Sequence, residues 1–359
     1  MVYFITYGQG DASKMLDDVN IIRQRDPSGA LAAVKALPEQ ARFEPVIEGD
    51  VERREVTNIV LAGMGGSALA ADMVKALLKD TIGVPIEVVK GYDLPAYVGW
   101  STLVVTLSHS GNTEETLECY RQARHKGSLL AVMATGGSLF EWAENDGIVR
   151  SRVPAGAQPR MSTVYHLRVL LKLLQEFGLT NAVVYDEVAS ASDWLAHWLQ
   201  EWAVERPLEH NYAKQLAERT VGKTPLFYGG DLTAPIAYKW KISWNETAKN
   251  VSFYNQYPEF SHNEFMGWTS HPVEKPFAVF DIQSSFERPR IAERMSLTDS
   301  MLSGKRPKAS VITLEGESLV RQFLWGLALA DMTSIYGAIL NGVDPTPVGL
   351  IEKFKASLS

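Results

Sequence analysis

The sequence predicts an α/β protein built from two tandem units, each a parallel sheet covered by helices. Three observations lead to this prediction. From residue 58 onward, short and nearly continuous apolar segments alternate with amphipathic ones, which is typical of a sheet buried on both faces. The alternation pauses over residues 161–218, which have helical patterns, and resumes at residue 224. Both runs begin with a strand that leads into paired glycines and a helix.

The composition is that of a globular protein without a strong charge bias. Its 359 residues are 46% hydrophobic and can bury one large core or two ordinary ones. The net charge of −7, without any basic run, argues against nucleic acid as a partner. A single cysteine, Cys119, excludes an internal disulfide and suits a reducing compartment. Because no signal peptide is apparent and no apolar run approaches the roughly 20 residues needed to span a bilayer, we expect a soluble cytoplasmic protein.

The first run of elements follows a helical arm at residues 11–40 that is interrupted near Pro27. Apolar continuity predicts four strands and helical spacing predicts two helices between them. The strands cover residues 58–62, 85–89, 103–107 and 128–134, and the helices cover residues 67–79 and 114–125.

Helical patterns at residues 161–177 and 188–218 separate the two runs. The second of these carries a stripe of three tryptophans, Trp194, Trp198 and Trp202, which fits a core or inter-domain face better than a ligand platform. The later strands are predicted at residues 224–230, 251–254, 277–282 and 309–314, and the later helices at residues 234–249, 288–302 and 318–340.

A loop rich in hydroxyl groups follows the third strand of the first run. It reads S-H-S-G-N-T from Ser108 to Thr113, and it leads directly into a helix. Gly111 permits a tight turn, and the helix start offers free amides and a positive dipole end. Together with the hydroxyls of Ser108, Ser110 and Thr113, these groups predict a site for a phosphate.

The earlier glycine loop, G-M-G-G-S from Gly63 to Ser67, allows other interpretations. With Ala68 it satisfies the dinucleotide pattern G-x-G-x-x-A. However, Lys90 stands where that pattern expects an acidic residue, and nicotinamide binding does not require the serine loop. Dinucleotide binding and a purely structural turn therefore stay open as minor alternatives. The second run has no comparable serine-rich loop, so we expect phosphate in the first half and closure of the site by the second.

Candidates for proton transfer lie in the second half. They form two segments, W-N-E-T-A-K with Asn245, Glu246 and Lys249, and Y-P-E-F-S-H-N-E-F with Glu259, His262, Asn263 and Glu264. Carboxylates and a histidine are the usual general acids and bases. Glu246 as an exposed helix carboxylate and His262 as a capping or core histidine are the structural alternatives. The remaining histidines lack metal-ligand spacing, so we expect no metal. The sequence contains no G-x-S-x-G elbow, so a serine hydrolase is not expected.

The two loops of the first half together resemble the sugar isomerase (SIS) domain, a flavodoxin-like unit that binds phosphosugars. The resemblance rests on G-M-G-G-S and S-H-S-G-N-T-E-E-T. It implies two tandem SIS subdomains and a phosphate cradle made of Gly66, Ser67, Ser108, Ser110 and Thr113.

Further motifs narrow the resemblance to the bifunctional phosphoglucose/phosphomannose isomerase family. They are N-E-T-A-K, P-E-F-S-H-N-E, the D-P-T-P-V that begins at Asp344, and Pro159 followed by Arg160. Two departures are His109, where a tyrosine is common, and Gln256-Tyr257, where Glu-Leu is usual. The implied organisation is an N-terminal helical arm (1–45), a phosphate-binding subdomain (46–185), connecting helices (186–220), and a subdomain with the acid/base residues and a C-terminal tail (221–359).

The resemblance implies cofactor-independent isomerisation of glucose 6-phosphate and mannose 6-phosphate to fructose 6-phosphate through a cis-enediolate. Glu246 is then the base, His262 opens the sugar ring, and Arg160 stabilises the enediolate. Lys355 assists ring opening, although a solvated tail lysine is the alternative. Ser334 governs the acceptance of mannose phosphate, unless its hydroxyl only bonds its own helix backbone. A homodimer is expected, in which His262 can act on the neighbouring subunit's substrate.

Two other functions remain open from the sequence. The Glu246 and His262 pair does not select the sugar, so another SIS-fold phosphosugar isomerase or deglycase is possible. A non-catalytic phosphosugar sensor is less favoured, because the chain keeps a full acid–base set and has no basic segment to couple to DNA.

Overall fold

The computed structural model describes residues 14–270 and 276–358. Contacts divide the chain into two compact units. The first unit consists of residues 36–193. The second unit joins the residues up to Lys35 with those from Trp194 onward. The N-terminal helices are thereby shared between the units.

The described residues form ten strands and a larger number of helices. The strands are β1 (Ile47–Glu48), β2 (Asn58–Gly63), β3 (Ile86–Val89), β4 (Thr102–Ser108), β5 (Leu129–Ala134), β6 (Val149–Arg152), β7 (Thr224–Gly229), β8 (Phe253–Gln256), β9 (Phe277–Gln283) and β10 (Ser310–Thr313). The α-helices are α1 (Val19–Arg25), α2 (Ala30–Lys35), α3 (Leu37–Arg42), α4 (Gly65–Leu77), α5 (Glu114–His125), α6 (Gly137–Asn145), α7 (Thr163–Glu176), α8 (Val183–Ser190), α9 (Ser192–Glu201), α10 (Tyr212–Glu218), α11 (Ala234–Ser243), α12 (Glu264–Gly267), α13 (Pro289–Met301), α14 (Leu319–Asn341) and α15 (Gly349–Ala356).

The first unit contains a six-stranded sheet in the order β1-β6-β5-β4-β2-β3. All pairs are parallel except β1 with β6. Without the short β1, the strands follow the 2-1-3-4-5 order of flavodoxin-like sheets. Every residue of β4 and β5 is buried, as their continuous apolar character predicts.

The second unit contains a four-stranded parallel sheet in the order β10-β9-β7-β8. Counted from β7, this is the 2-1-3-4 order, so the second sheet repeats the first four strands of the flavodoxin-like arrangement. The repeat of a strand, a glycine pair and a helix, which the sequence predicts at residue 224, is confirmed in β7 and α11.

The core of the second unit is centred on α14. This helix is long and apolar enough to cross a bilayer, so the expectation that no such apolar run exists is wrong; its whole apolar window is buried inside the fold. Its Trp325 ring lies 5.6 Å from that of Trp198 and 5.4 Å from that of Trp202. The tryptophan stripe therefore packs as a core face, the favoured interpretation of its spacing.

The structure also differs from the sequence prediction in several places. Helix α6 and strands β1 and β6 were not predicted. Strand β6 was missed because it reads V-R-S-R and lacks the apolar run of an inner strand. The predicted helix over residues 188–218 is broken into α8, α9, a 3-10 turn at Leu208–His210 and α10. The predicted helix over residues 234–249 is α-helical only to Ser243 and continues as a π-helix.

Candidate active site

The glycine loop between β2 and α4 is packed closely against its neighbours. A side chain at Gly66 would place its Cβ 2.8 Å from the Pro159 carbonyl oxygen, so only glycine fits there. The next residue, Ser67, is buried, and its Oγ accepts a hydrogen bond of 3.2 Å from the His109 backbone amide. This bond joins the start of α4 to the loop that follows β4.

The serine loop at residues 108–113 is held together by its own hydroxyl groups. The side-chain oxygens of Ser108 and Thr113 lie 2.8 Å apart, and the Gly111 amide donates to the Ser108 Oγ at 3.0 Å. The exposed Ser110 accepts at its Oγ from the Asn112 amide at 3.2 Å. Gly111 has a φ of 74°, a left-handed conformation that glycine adopts without strain. The expectation that Gly111 permits this turn is confirmed.

Both loops leave the sheet at its topological switch point. Strands β2 and β4 are hydrogen-bonded neighbours, while β3 lies beyond β2 and β5 lies beyond β4. Open α/β sheets place ligands where the connections from two adjacent strands diverge in this way. Neither α4 nor α5 has a side-chain hydrogen bond at its N-cap residue. Two helix starts without side-chain caps, flanked by serine and threonine hydroxyls, form a site suited to an anion.

His109, within the serine loop, contacts a second histidine. Its Nδ1 lies 3.0 Å from Nε2 of His166 in α7. Burial lowers the pKa of His166 to about 3, and the neighbouring His109 lowers it further. Burial also lowers the pKa of His109, against a hydrogen bond to the Ala157 backbone. Both imidazoles are thus neutral near pH 7, and they supply the loop with a hydrogen bond rather than a positive charge.

Arg160 lies beside the glycine loop in the same unit. It belongs to the 3-10 turn Pro159–Met161, which packs against α4 at Gly66, and only 1% of Arg160 is exposed. The Thr163 hydroxyl donates to the Arg160 carbonyl at 3.1 Å and joins the turn to α7. A buried arginine, whose guanidinium cannot be deprotonated, therefore belongs to the turn whose backbone packs against Gly66.

Glu246 lies in the irregular end of α11. The helix continues as a π-helix over Trp244–Ala248, and Lys249 ends it with a φ of 54°. Turns of this kind are rare and frequently occur at functional sites. The Lys249 ammonium donates to the Glu246 carbonyl and also, at 3.1 Å, to the Pro345 carbonyl. The N-E-T-A-K and D-P-T-P-V motifs are therefore in direct contact through Lys249, and Glu246 itself is half-buried.

His262 ends the 3-10 turn Glu259–His262, and its side chain is exposed. The nearby Glu264 is held by two strands of the second sheet. The Tyr228 hydroxyl donates to one of its carboxylate oxygens, and Asn255 Nδ2 donates to the other at 2.7 Å. This polar network fixes the segment to β7 and β8, while His262 stays accessible.

The chain matches known proteins over nearly its whole length. Residues 209–358 match the family described as bacterial phospho-glucose isomerase C-terminal SIS domain. A bifunctional phosphoglucose/phosphomannose isomerase from Caldicellulosiruptor bescii is 33% identical over 333 residues, which cover 91% of this chain and 98% of the relative. The chain belongs to the bifunctional phosphoglucose/phosphomannose isomerase family. A relative of the same name from Aquifex aeolicus is 33% identical over 301 residues, 84% of this chain and 90% of that protein.

Solved structures share the fold of this isomerase. A glucose-6-phosphate isomerase-like protein from Thermus thermophilus superposes with a TM-score of 0.63 at 18% identity, covering 95% of this chain and 98% of that one. At such low identity the likeness concerns the fold alone. The predicted family and the predicted SIS-type α/β fold are both confirmed.

The predicted site residues of this isomerase are divided between its two units. The first unit brings together Gly66, Ser67, Ser108, Ser110, Thr113 and Arg160, and the second unit carries Glu246, His262, Ser334 and Lys355. Within the second unit, Lys249 bonds both the Glu246 carbonyl and the Pro345 carbonyl of the D-P-T-P-V segment. The catalytic and binding roles of all ten residues stay predictions.

Two of the weaker predictions, for Ser334 and Lys355, concern residues that differ in burial. Ser334 is fully buried, and its Oγ donates to the Asp331 carbonyl at 3.0 Å, which is the backbone bond named above as the alternative to a selectivity role. Lys355 lies in α15, a helix in which no residue is buried.

Some side chains that shape the site were missed from the sequence. His166 lies 57 positions beyond its partner His109, and such contacts leave no local pattern. Tyr228 had a usable signal, because it directly precedes the glycine pair at the carboxyl end of β7, where parallel sheets place functional groups. Over the part of the chain that the structure describes, no group of three or more His, Cys, Asp or Glu side chains could hold a metal ion.

Proposed function

We propose that the protein interconverts glucose 6-phosphate and mannose 6-phosphate with fructose 6-phosphate, without a metal or an organic cofactor. The observation that carries the proposal is the pair of helix starts at the switch point of the first sheet. Their amides have no side-chain cap, and hydroxyls of Ser67, Ser108, Ser110 and Thr113 lie beside them. The names of the relatives, which are bifunctional phosphoglucose/phosphomannose isomerases, support hexose phosphates as the substrates.

In the proposed reaction Glu246 is the base that moves a proton between two carbons. Its carboxylate removes the C2 proton of the open aldose and leaves a cis-enediolate. It then returns the proton to C1, while the O2 hydroxyl proton passes to O1, so the ketose forms without net gain or loss of atoms. The π-helix supports this role, because it holds Glu246 at a half-buried position fixed through Lys249. A positioned base contributes about 10²–10⁴-fold to such a step.

The other assigned groups act on charge and on the sugar ring. Arg160 stabilises the negative charge that develops on the enediolate oxygens, since its guanidinium is permanently cationic. His262 moves a proton between the ring oxygen and the O1 hydroxyl when the ring opens, and its exposed side chain is available for this step. Lys355 assists the same step, and Ser334 influences the acceptance of the mannose epimer.

Loss of the base should stop turnover without loss of substrate binding. Purified protein is incubated with mannose 6-phosphate in deuterated water, and fructose 6-phosphate is followed by NMR. We expect product that carries deuterium at C1, because the enediolate exchanges its proton with solvent through the base. Glu246→Gln should lower kcat by about 10²–10⁴-fold with little change in KM. Glu293→Gln, at an exposed carboxylate of α13, is the matched control.

Each result of this experiment bears on one part of the proposal. Normal activity of Glu246→Gln would show that another group is the base. Turnover of glucose phosphate but not of mannose phosphate would remove the bifunctional assignment. Phosphosugar binding without any product would favour a sensor.

We further propose a homodimer in which His262 serves the substrate of the neighbouring subunit. Glu246→Gln and His262→Asn chains, each inactive alone, are mixed, unfolded and refolded together. If His262 acts in trans, a mixed dimer contains one site with both native residues, and activity should return. If each chain uses its own His262, every site in the mixture carries a defect, and no activity returns.

A further inference from the structure

The second unit repeats the geometry that forms the anion site of the first. Strands β7 and β9 are neighbours at the switch point of the second sheet, as β2 and β4 are in the first. Strand β7 ends at Gly229, Gly230 follows, and α11 begins after Thr233. The Thr233 side chain makes no N-terminal cap for α11, and the first amides of the helix bond to backbone carbonyls. The Leu232 and Thr233 amides, which precede the helix, point to a different acceptor.

A carboxylate of the same chain accepts hydrogen bonds from these amides. Glu287, in the loop after β9, receives hydrogen bonds at Oε2 from the Leu232 amide at 2.9 Å and from the Thr233 amide at 3.2 Å. The Thr233 hydroxyl accepts from the Gly230 amide at 2.7 Å and lies 3.5 Å from the same carboxylate oxygen. The Thr233 hydroxyl also lies 3.3 Å from the Ile282 carbonyl, to which it donates. The two successive amides that converge on one anionic oxygen are the kind of turn that binds anions.

The backbone is shaped to admit this carboxylate. A Cβ on Gly230 would overlap the Glu287 carboxylate, so glycine is required for the close approach. In the first unit the equivalent loop after β4 also reaches the start of the neighbouring helix, where the His109 amide donates to Ser67. The loop after β4 thus contributes a hydrogen-bond donor in the first unit, whereas the loop after β9 contributes an anion in the second unit.

Serine residues also follow β9, although they do not form a phosphate loop. Ser284 Oγ lies 2.6 Å from Gln322 Oε1, and Gln322 Nε2 donates to Ser285 Oγ at 2.8 Å. Their hydroxyls are therefore bonded to α14. This explains in structural terms why the serine pair does not reproduce the loop at residues 108–113.

We propose that Glu287 is a built-in occupant of a second anion-binding cradle, and that its removal opens this cradle to a free oxyanion such as phosphate. In the native protein the carboxylate keeps phosphate out of the second unit, so that phosphosugars are anchored only in the first. The cradle involves neither Glu246 nor His262, and only the anchoring of phosphosugars in the first unit rests on the proposed function.

The test compares Glu287→Ala with Glu287→Gln and with native protein in inorganic phosphate. Thermal unfolding is followed over a phosphate series at constant ionic strength, and bound phosphate is counted by titration calorimetry. Glu287→Ala should bind one phosphate more per chain than native protein, and its Tm should rise by roughly 2–4 °C more across the series. Glu287→Gln should gain no site, because its amide oxygen still fills the cradle.

Controls separate this site from other effects of phosphate. Glu293→Ala removes an exposed carboxylate of α13 and should respond like native protein, which accounts for the general stabilisation of folded proteins by phosphate. Adding Ser110→Ala to Glu287→Ala changes the first unit's loop and should leave the new site intact. If Glu287→Ala binds no additional phosphate and melts with the native phosphate dependence, the proposal is wrong. If this variant folds only in phosphate, the proposal holds; if phosphate fails to restore it while Glu287→Gln folds, the proposal is overturned.

Discussion

Lowering the pH should destabilise the first unit through His166. This histidine is fully buried beside His109, and burial lowers its pKa to about 3 from an ordinary value of 6.5. Between these two values the unfolded chain binds a proton at this position and the folded chain does not. The contribution of the neutral imidazole to stability is therefore complete above pH 6.5 and declines as the pH falls toward 3.

The size of the effect follows from the same values. At about pH 5.5, one unit below the unfolded pKa, His166 alone should cost the folded state about 1.4 kcal/mol relative to about pH 7.5. His166→Gln removes the titrating ring and keeps an amide that can bond His109. Between about pH 7.5 and about pH 5.5, the free energy of unfolding of His166→Gln should therefore fall by about 1.4 kcal/mol less than that of native protein. This difference does not depend on how stable the variant is at the higher pH.

Hydrogen exchange can measure this difference locally. Exchange of peptides from α7 is recorded by mass spectrometry at both pH values, and the opening free energies are corrected for intrinsic exchange rates. His125→Gln, at an exposed histidine of the same unit, is the control for loss of an imidazole. The reasoning is refuted if His166→Gln and native protein lose the same opening free energy on acidification.

Two further predictions concern the serine loop and the core of the second unit. Gly111→Ala should raise KM and should destabilise the protein by more than the roughly 1–3 kcal/mol of a left-handed backbone, because φ is 74° there and its Cβ would also overlap the Gly136 carbonyl oxygen. Gly147→Ala, with a similar φ and open space around it, measures the backbone cost alone in the same urea titrations. Lys239→Met should cost about 3–5 kcal/mol by leaving the buried Asp331 without its partner at 2.6 Å. Adding Asp331→Leu should recover much of this loss in thermal unfolding, and a fully additive double variant would contradict the pairing.

The sequence predicted the inner strands well because their signal is local. β4 and β5 are continuous apolar segments, and burial on both faces requires that composition. The edge strand β6 was missed, since it carries two arginines and only half of its residues are buried. Helix α5 was predicted to the residue, because its acidic first turn follows a loop that ends in a threonine.

The candidate site was predictable where chemistry is carried by contiguous residues. The loop from Ser108 to Thr113 predicts an anion-binding site because its hydroxyl groups and its glycine are contiguous in the sequence. By contrast, the contact of His109 with His166 and that of Glu287 with Thr233 depend on chain crossings, which leave no periodic trace. From the sequence alone, Glu287 cannot be told from an ordinary surface carboxylate. Only the folded structure shows that it accepts hydrogen bonds from the amides before α11.

Because of the π-helical turn at Trp244–Ala248, the direction of the Glu246 side chain depends on how many residues this turn contains. Its hydrogen bonds span five residues rather than four, so the turn holds an extra residue within the helix. If one residue ahead of Glu246 were deleted from the turn, the helix could continue as a regular α-helix, and Glu246 would be turned about the helix axis by about 100°, the angle between successive residues. Glu246 would then face a different direction, although its chemistry and the surrounding apolar residues were unchanged. The direction of Glu246 therefore depends on the number of residues in this segment as well as on their identity.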